Sequence, residues 1–363
     1  MTQTLSLDAV PRPAGGYFFE DFSVGRRFHH ATPRTLTDGD ASAYIGLTGA
    51  RQAVHCCEPL ARAMGHRARP LDDFLVFNVA FGKTVPDISY NAIANLGYAD
   101  VRFLAPVYAG DTLACESTVV GAKENSDAKS GVVYVRSRAF NQDRAEVLAW
   151  TRWVMVARRR ARADDRAPAP VVPALPDHVE PSGYAIPAFL APAALAPRFT
   201  GSARFWEDYA PAEAIDHPGG MTVEEADHMT ATRLYQNTAR IHFDAFLARG
   251  NPFGKRLVYG GHVISLCRAL SFDGLENAFA VAAIHGGKHS NPTFAGDTLY
   301  CRHVVLARET IAGREDVGAL RLRMIGAKNI GLAALAELPP GGKHESVVLD
   351  LDYSVLIPRR QKP

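Results

Sequence analysis

Hydrophobic and polar positions follow two textures along this chain. From Asn95 they alternate with period two through GYADVRFLAPVYAGDTLACESTVVGAKEN, VVYVRSRAF and VLAWTRWVMVARR, with turn residues between the runs. That pattern predicts strands joined by hairpins, the last two antiparallel. Upstream, a strand-like stretch reaches Thr35, and Thr35 and Asp38 have capping-box spacing before a helical pattern through Tyr44, Leu47 and Val54. A polar turn region around residues 65–73 then leads into the apolar run Phe74 to Phe81. In the second half, Thr222 and Glu225 again have capping-box spacing, and an amphipathic pattern runs from them to Phe246 and Leu247. Gly250, Asn251 and Pro252 break it, and a second helix is expected to begin at Gly260-Gly261 and to continue through Val263, Ile264, Leu266 and Leu270.

These textures recur because the chain is duplicated. FFEDF at 18–22 returns as FWEDY at 205–209, an offset of 187 that also relates Thr35 to Thr222 and His55 to His242. PVYAGDTL at 106–113 returns as PTFAGDTL at 292–299, at offset 186. Matches in the same order at an almost constant offset read as an internal repeat. Between the copies, residues 161–200 hold eight of the 23 prolines, interleaved with alanine, a composition that sustains neither helix nor ladder. The expected organisation is a first repeat at 1–160 behind a loose arm at 1–15, a linker at 161–200 and a second repeat at 201–363. Each repeat reads as strand, helices and then antiparallel strands. A long helix wrapped by an antiparallel sheet is the α+β hotdog plan, and two in one chain make a double hotdog.

Composition adds bounds. A chain of 363 residues, 47% hydrophobic and 21% charged, is that of a globular protein with room for two cores. A net charge of +2 gives no case for a nucleic-acid or membrane partner, and no apolar run approaches the length of a membrane span. The N-terminus lacks the basic start and apolar core of a signal peptide. Five cysteines without CxxC spacing read as reduced thiols in a cytoplasmic protein and support no metal site.

The candidate chemistry lies around the second repeat's glycine pair. Gly260 and Gly261 at a helix start let a ligand approach bare amides, where the helix dipole favours developing negative charge. Asn237 and His242 lie upstream, an amide and a titratable imidazole. In one regular helix, residues five apart would point roughly 140° from each other, so the pair requires a helix end or bend between them. At offset 187, Asn237 falls on Ala50, His242 on His55, Gly260 on Asp73 and Gly261 on Phe74. The first repeat keeps the imidazole but sets a carboxylate where an oxyanion would bind, so it is expected to be catalytically silent and to serve binding. The glycine-aspartate pairs at Asp111 and Asp297 read as tight turns. Lys83, Arg102, Arg233, Arg240, Arg256, Lys288 and His289 are candidates to meet a phosphate or a carboxylate of a ligand.

The segment QNTARIHFD at 236–244, with Gly260 eighteen residues after His242, resembles the MaoC-like, R-specific enoyl-CoA hydratases, whose pattern is Gly-Asp-x-Asn-Pro-Leu-His-x-Asp before a helix-opening glycine. The match holds at His242, Asp244 and Gly260; Asn237 stands at the family's catalytic Asp and Arg240 at its proline. Within that family, DDFLVFNVAFGKTVPDISYNAIAN and GYADVRFLAPVYAGDTL are similar to the mesaconyl-CoA hydratase group. The resemblance implies a hydro-lyase acting on a short branched dicarboxylic enoyl-CoA. It further implies Asn237 and His242 as the catalytic pair, Gly260 and Gly261 as the thioester oxygen's site, no cofactor and a dimer. The alternatives are a straight-chain fatty enoyl-CoA hydratase and an acyl-CoA-binding hotdog module without turnover.

Overall fold

The computed structural model describes residues 12–160, 169–338 and 343–360, so most of the arm and the start of the linker lie outside the described residues. Each copy opens on a 3-10 turn fixed by its acidic residue: Asp21 accepts the Phe18 amide at 2.9 Å, and Asp208 accepts that of Phe205 at 2.9 Å. The strands that follow are β1 (Arg27–His29), β2 (Arg34–Thr35), β3 (Ala92–Phe103), β4 (Thr112–Glu124), β5 (Ser130–Phe140) and β6 (Glu146–Ala157). The second copy supplies β7 (Ala214–Thr222), β8 (Ala280–Lys288), β9 (Thr298–Ile311), β10 (Arg314–Lys328) and β11 (Val347–Pro358).

All pair antiparallel in one sheet of order β1-β4-β5-β6-β3-β8-β11-β10-β9-β7, with β2 on β4. The order is the same from the middle outwards in both directions. Its centre is the β3–β8 pairing, where Val101 faces Ile284. β4 alternates buried and half-buried positions along its length, as a strand covering a core on one face must.

A first central helix, Asp73–Ile88, and a second, Gly260–Leu270, fill the inner faces of the two halves. Asp72 caps the first by accepting the Phe74 amide at 2.9 Å, whereas Tyr259 at the N-cap of the second offers no side-chain cap. The helices meet where Asn78 Nδ2 donates to Gly261 O at 3.1 Å and to Ser265 Oγ at 3.0 Å. This is the α+β double-hotdog arrangement. Among the described residues no helix is long and apolar enough to cross a membrane.

Two local expectations are corrected. Thr35 and Thr222 do not cap helices: they end β2 and β7, and their hydroxyls pair with Thr112 and Thr298 at 2.7 and 2.8 Å. The repeat is real but its cause is a cross-strand threonine pair, which capping-box spacing happens to imitate. The first of these helices is capped instead at Thr37, in a box with Asp40, and the second starts after Glu224, whose side chain makes no cap bond. Nor is the pattern from 222 to 247 one helix. It divides into Glu225–Leu234, a 3-10 turn at Arg240–His242 and a short helix at Ala245–Ala248, leaving Phe246 81% exposed. The Asp111 and Asp297 turns form as expected: each carboxylate accepts an amide three residues back, after a glycine at φ 96° or 89°.

One glycine sets the approach of the halves. A Cβ at Gly82 would lie 2.1 Å from the carbonyl oxygen of Tyr235, in the turn that precedes Asn237. Gly82→Ala should therefore destabilise the protein by about 1–3 kcal/mol through overpacking against backbone. Urea unfolding checks this; an unchanged midpoint would mean that the turn is free to shift.

Candidate functional site

The end of the second repeat's first helix creates the bend that the sequence required. After Leu234 the chain turns through Gln236, held at φ 51° in the left-handed region, a strained conformation for a non-glycine residue. Asn237 follows and is buried. Its Oδ1 accepts the Ala239 amide at 3.0 Å, which leaves Nδ2 as the free group, a donor without a partner among the described residues. Asn237 lines a cavity of about 530 Å³ whose wall also carries Lys83, Arg233 and Gln236. Lys83, from the first central helix, donates to Gln236 Oε1.

His242 stands on the next turn. Its Nδ1 is bonded to the Leu257 carbonyl at 3.0 Å, so Nδ1 carries the proton and Nε2 is the open nitrogen. Burial pulls its pKa down to about 4, only partly offset by that hydrogen bond, and His228 lowers it further. At neutral pH the ring is an uncharged base. It packs against Tyr259 with ring centres 5.6 Å apart, and Tyr259 immediately precedes Gly260.

At the helix start, the amides of Gly260 and Gly261 have no hydrogen-bond partner among the described residues; the first bonds to Tyr259 O come from His262 and Val263. The two glycines differ in role. A Cβ at Gly260 would meet the ring of His289 at 2.5 Å. Burial lowers the pKa of His289 to about 4, and the nearby His242 lowers it further. A Cβ at Gly261 would fall 2.0 Å from Asn78 Oδ1, so that glycine serves the crossing of the central helices. His289 is bonded through Nε2 to the hydroxyl of Tyr98, which arrives from β3 across the central pairing. The structure thus gathers His242, Tyr259, Gly260 and His289. Asn237 lines the neighbouring cavity, whose wall includes none of these four.

Tyr98, Tyr259 and Asn78 were not foreseen. Tyr98 and Asn78 come from the other repeat, and no local pattern announces a residue that crosses between halves. Of the seven basic candidates, Arg102, Arg256 and Lys288 are paired with Asp100, Glu225 and Asp350. Arg240 lies over Tyr90, while Lys83 and Arg233 remain on the cavity wall.

The equivalent place in the first half is different. His55 Nδ1 keeps the matching bond, to Pro70 O at 3.2 Å, but its Nε2 faces Asp73 Oδ2 at 3.9 Å. Asp73 also accepts the Val281 amide at 2.7 Å, and burial raises its pKa to about 6. Ala185, Pro187 and Leu190, from the stretch between β6 and β7, help to wall the small cavity beside it, about 60 Å³. A further buried group, His217, Cys301 and His303, brings potential ligand atoms within 4.8 Å of one another. Its ring nitrogens are all engaged: His217 with Asp273 O and His303, and His303 with the Tyr353 hydroxyl.

Burial lowers the pKa of His242 and His289 to about 4 and that of His262 to about 3, against an ordinary 6.5. Below 6.5 the unfolded chain takes up protons that the folded rings refuse, so stability falls with pH through this window and the loss is complete near 3. Thermal unfolding at successive pH values from about 7 to 5 should show a steadily falling midpoint. A midpoint that is flat or rises would contradict the burial of neutral rings.

The comparisons with known proteins agree with one another. A family described as mesaconyl-CoA hydratase matches residues 2–329. A beta-methylmalyl-CoA dehydratase of Chloroflexus aurantiacus is 51% identical, over 95% of this chain and 98% of its own. A mesaconyl-CoA hydratase of Cereibacter sphaeroides is 49% identical, over 95% and 98%. Among solved structures, a MaoC domain protein dehydratase from Chloroflexus aurantiacus superposes with TM-score 0.92 at 49% identity, covering 97% of this chain and all of that one. A Mycobacterium tuberculosis protein with a double hotdog fold gives TM-score 0.75 at 26% identity, covering 95% and 99%.

Proposed function

The chain belongs to the mesaconyl-CoA hydratase family and is a hydro-lyase, and from that premise we propose that it adds water reversibly to mesaconyl-CoA to give β-methylmalyl-CoA. The observation that carries the mechanism is His242, its Nε2 left open by the Nδ1 bond to Leu257 O, gathered through Tyr259 with glycine amides that have no partner among the described residues. The thioester oxygen accepts the Gly260 amide, with the helix dipole behind it, which makes the β-carbon electrophilic and stabilises the enolate. Water held by the Asn237 Nδ2 donor gives its proton to His242 Nε2 as its oxygen bonds to the β-carbon. The imidazolium then returns that proton to the α-carbon, so one water is added and nothing else is consumed. Asn237 orients the water without acting as a base, because a carboxamide does not take up a proton near neutrality.

On this reading the repeat at 201–363 carries the reaction, the repeat at 1–160 supplies binding surface, and 161–200 links them. Lys83 and Arg233 at the cavity suit the phosphates of CoA. The test is incubation of the purified protein with mesaconyl-CoA beside a straight-chain enoyl-CoA. A product heavier by one water from mesaconyl-CoA, formed faster than the straight-chain product, supports the proposal. Faster hydration of the straight-chain substrate would favour a fatty enoyl-CoA hydratase, and no change in either would favour a binding module.

A further inference from the structure

On β6, Trp150 and Arg152 are two residues apart and therefore project to the same face of the sheet, under the first central helix. Both are fully buried. The Arg152 guanidinium lies 4.2 Å from the ring centre of Phe81, and its Nη2 donates to Thr84 Oγ1 at 2.9 Å. Among the described residues its Nε and Nη1 have no partner, and neither has Trp150 Nε1. No carboxylate lies within ion-pair distance of Arg152 among the described residues. Three donor nitrogens thus sit in the interior without an acceptor, on or beside a positive charge. An uncompensated buried cation is among the costlier features a fold can keep, and buried donors are otherwise almost always satisfied.

The position of this cluster suggests its use. Phe81 packs on Tyr259 at 5.9 Å between ring centres, and Tyr259 packs on His242 at 5.6 Å. Tyr98 also faces Phe81, at 6.3 Å, and its hydroxyl holds His289 over Gly260. Arg152 is therefore one aromatic layer beyond the groups assigned to the reaction. We infer that Arg152 and Trp150 form a subsite for the distal carboxylate of a dicarboxylic acyl-CoA. Guanidinium and carboxylate match as a two-pronged pair, with the indole N–H as an additional donor. In mesaconyl-CoA that carboxylate is attached to the β-carbon, so its anchor has to lie just past the water-addition site. The cation also withdraws the negative charge that would otherwise oppose attack at that carbon.

The inference rests on reading the chain as an acyl-CoA enzyme, and the experiment separates the two. Succinyl-CoA and butyryl-CoA are saturated, so neither is hydrated, and they differ by the distal carboxylate. Calorimetric titration of the intact protein should give tighter binding of succinyl-CoA, by on the order of 100-fold. Arg152→Met should remove that preference while leaving butyryl-CoA affinity unchanged, with a melting temperature equal to or above that of the parent, because a lone buried charge is lost. Trp150→Phe, which deletes one donor and keeps the ring packing, should reduce the preference in part, so the inference remains testable if the arginine variant misfolds. Equal binding of the two thioesters by the parent, or a preference that survives both substitutions, would overturn the subsite alone. Binding of neither would overturn the acyl-CoA reading and the subsite with it.

Discussion

His242→Ala should reduce turnover of mesaconyl-CoA by about 10²–10⁴-fold, the usual loss when a general acid–base group is removed, whereas His55→Ala should keep most of it. The two imidazoles occupy equivalent places and make equivalent bonds, to Leu257 O and Pro70 O. They differ in what the open nitrogen faces. His242 is gathered with Tyr259, Gly260 and His289, where helix-start amides are unpartnered. His55 faces the half-buried carboxyl of Asp73, which would repel an enolate, beside a cavity of about 60 Å³ that Ala185, Pro187 and Leu190 help to wall. Steady-state rates of both variants, measured on protein with the parent's circular dichroism spectrum, decide the matter. Equal losses would mean that the halves have been assigned wrongly.

Gly260→Val should fold and lose activity by about 10²–10³-fold, the cost of one oxyanion donor. The added Cβ would meet His289 Nε2 at 2.5 Å, which pushes the ring from Tyr98 and blocks the approach of a thioester oxygen to the amide. Stability should change little, because the obstructing atoms belong to a side chain and not to backbone. Gly261 provides the contrast: it is fully packed against Asn78, and a side chain there should unfold the helix crossing before it affects catalysis. Turnover by Gly260→Val equal to that of the parent would remove Gly260 from the site.

Much of this architecture was legible in the sequence because duplication acts as an internal control. The offset of 187 relates the starts of the two central helices, the histidines and the FFEDF turns, and all of these reappear at equivalent places. Local chemistry was harder to read. Thr35 and Thr222 have the spacing of a capping box, yet a β-branched residue at a strand end can pair across the ladder instead. Phe246 and Leu247 continue a helical period but point outwards, since the chain has already turned at Gln236. Asn237, His242 and Gly260 could be named because they lie close together in sequence. Tyr98, Asn78, Trp150 and Arg152 could not, because they belong to the first half, which meets the second through the β3–β8 pairing and the crossing of the central helices.

The most direct measurement is mass spectrometry of mesaconyl-CoA incubated in deuterated water with the parent protein and with His242→Ala in parallel. The proposed mechanism requires that the parent yield a thioester heavier by one water, with a single solvent deuterium on the α-carbon, and that the variant yield almost none in the same time. Release of free CoA by the parent, or hydration by His242→Ala at the parent's rate, would contradict it.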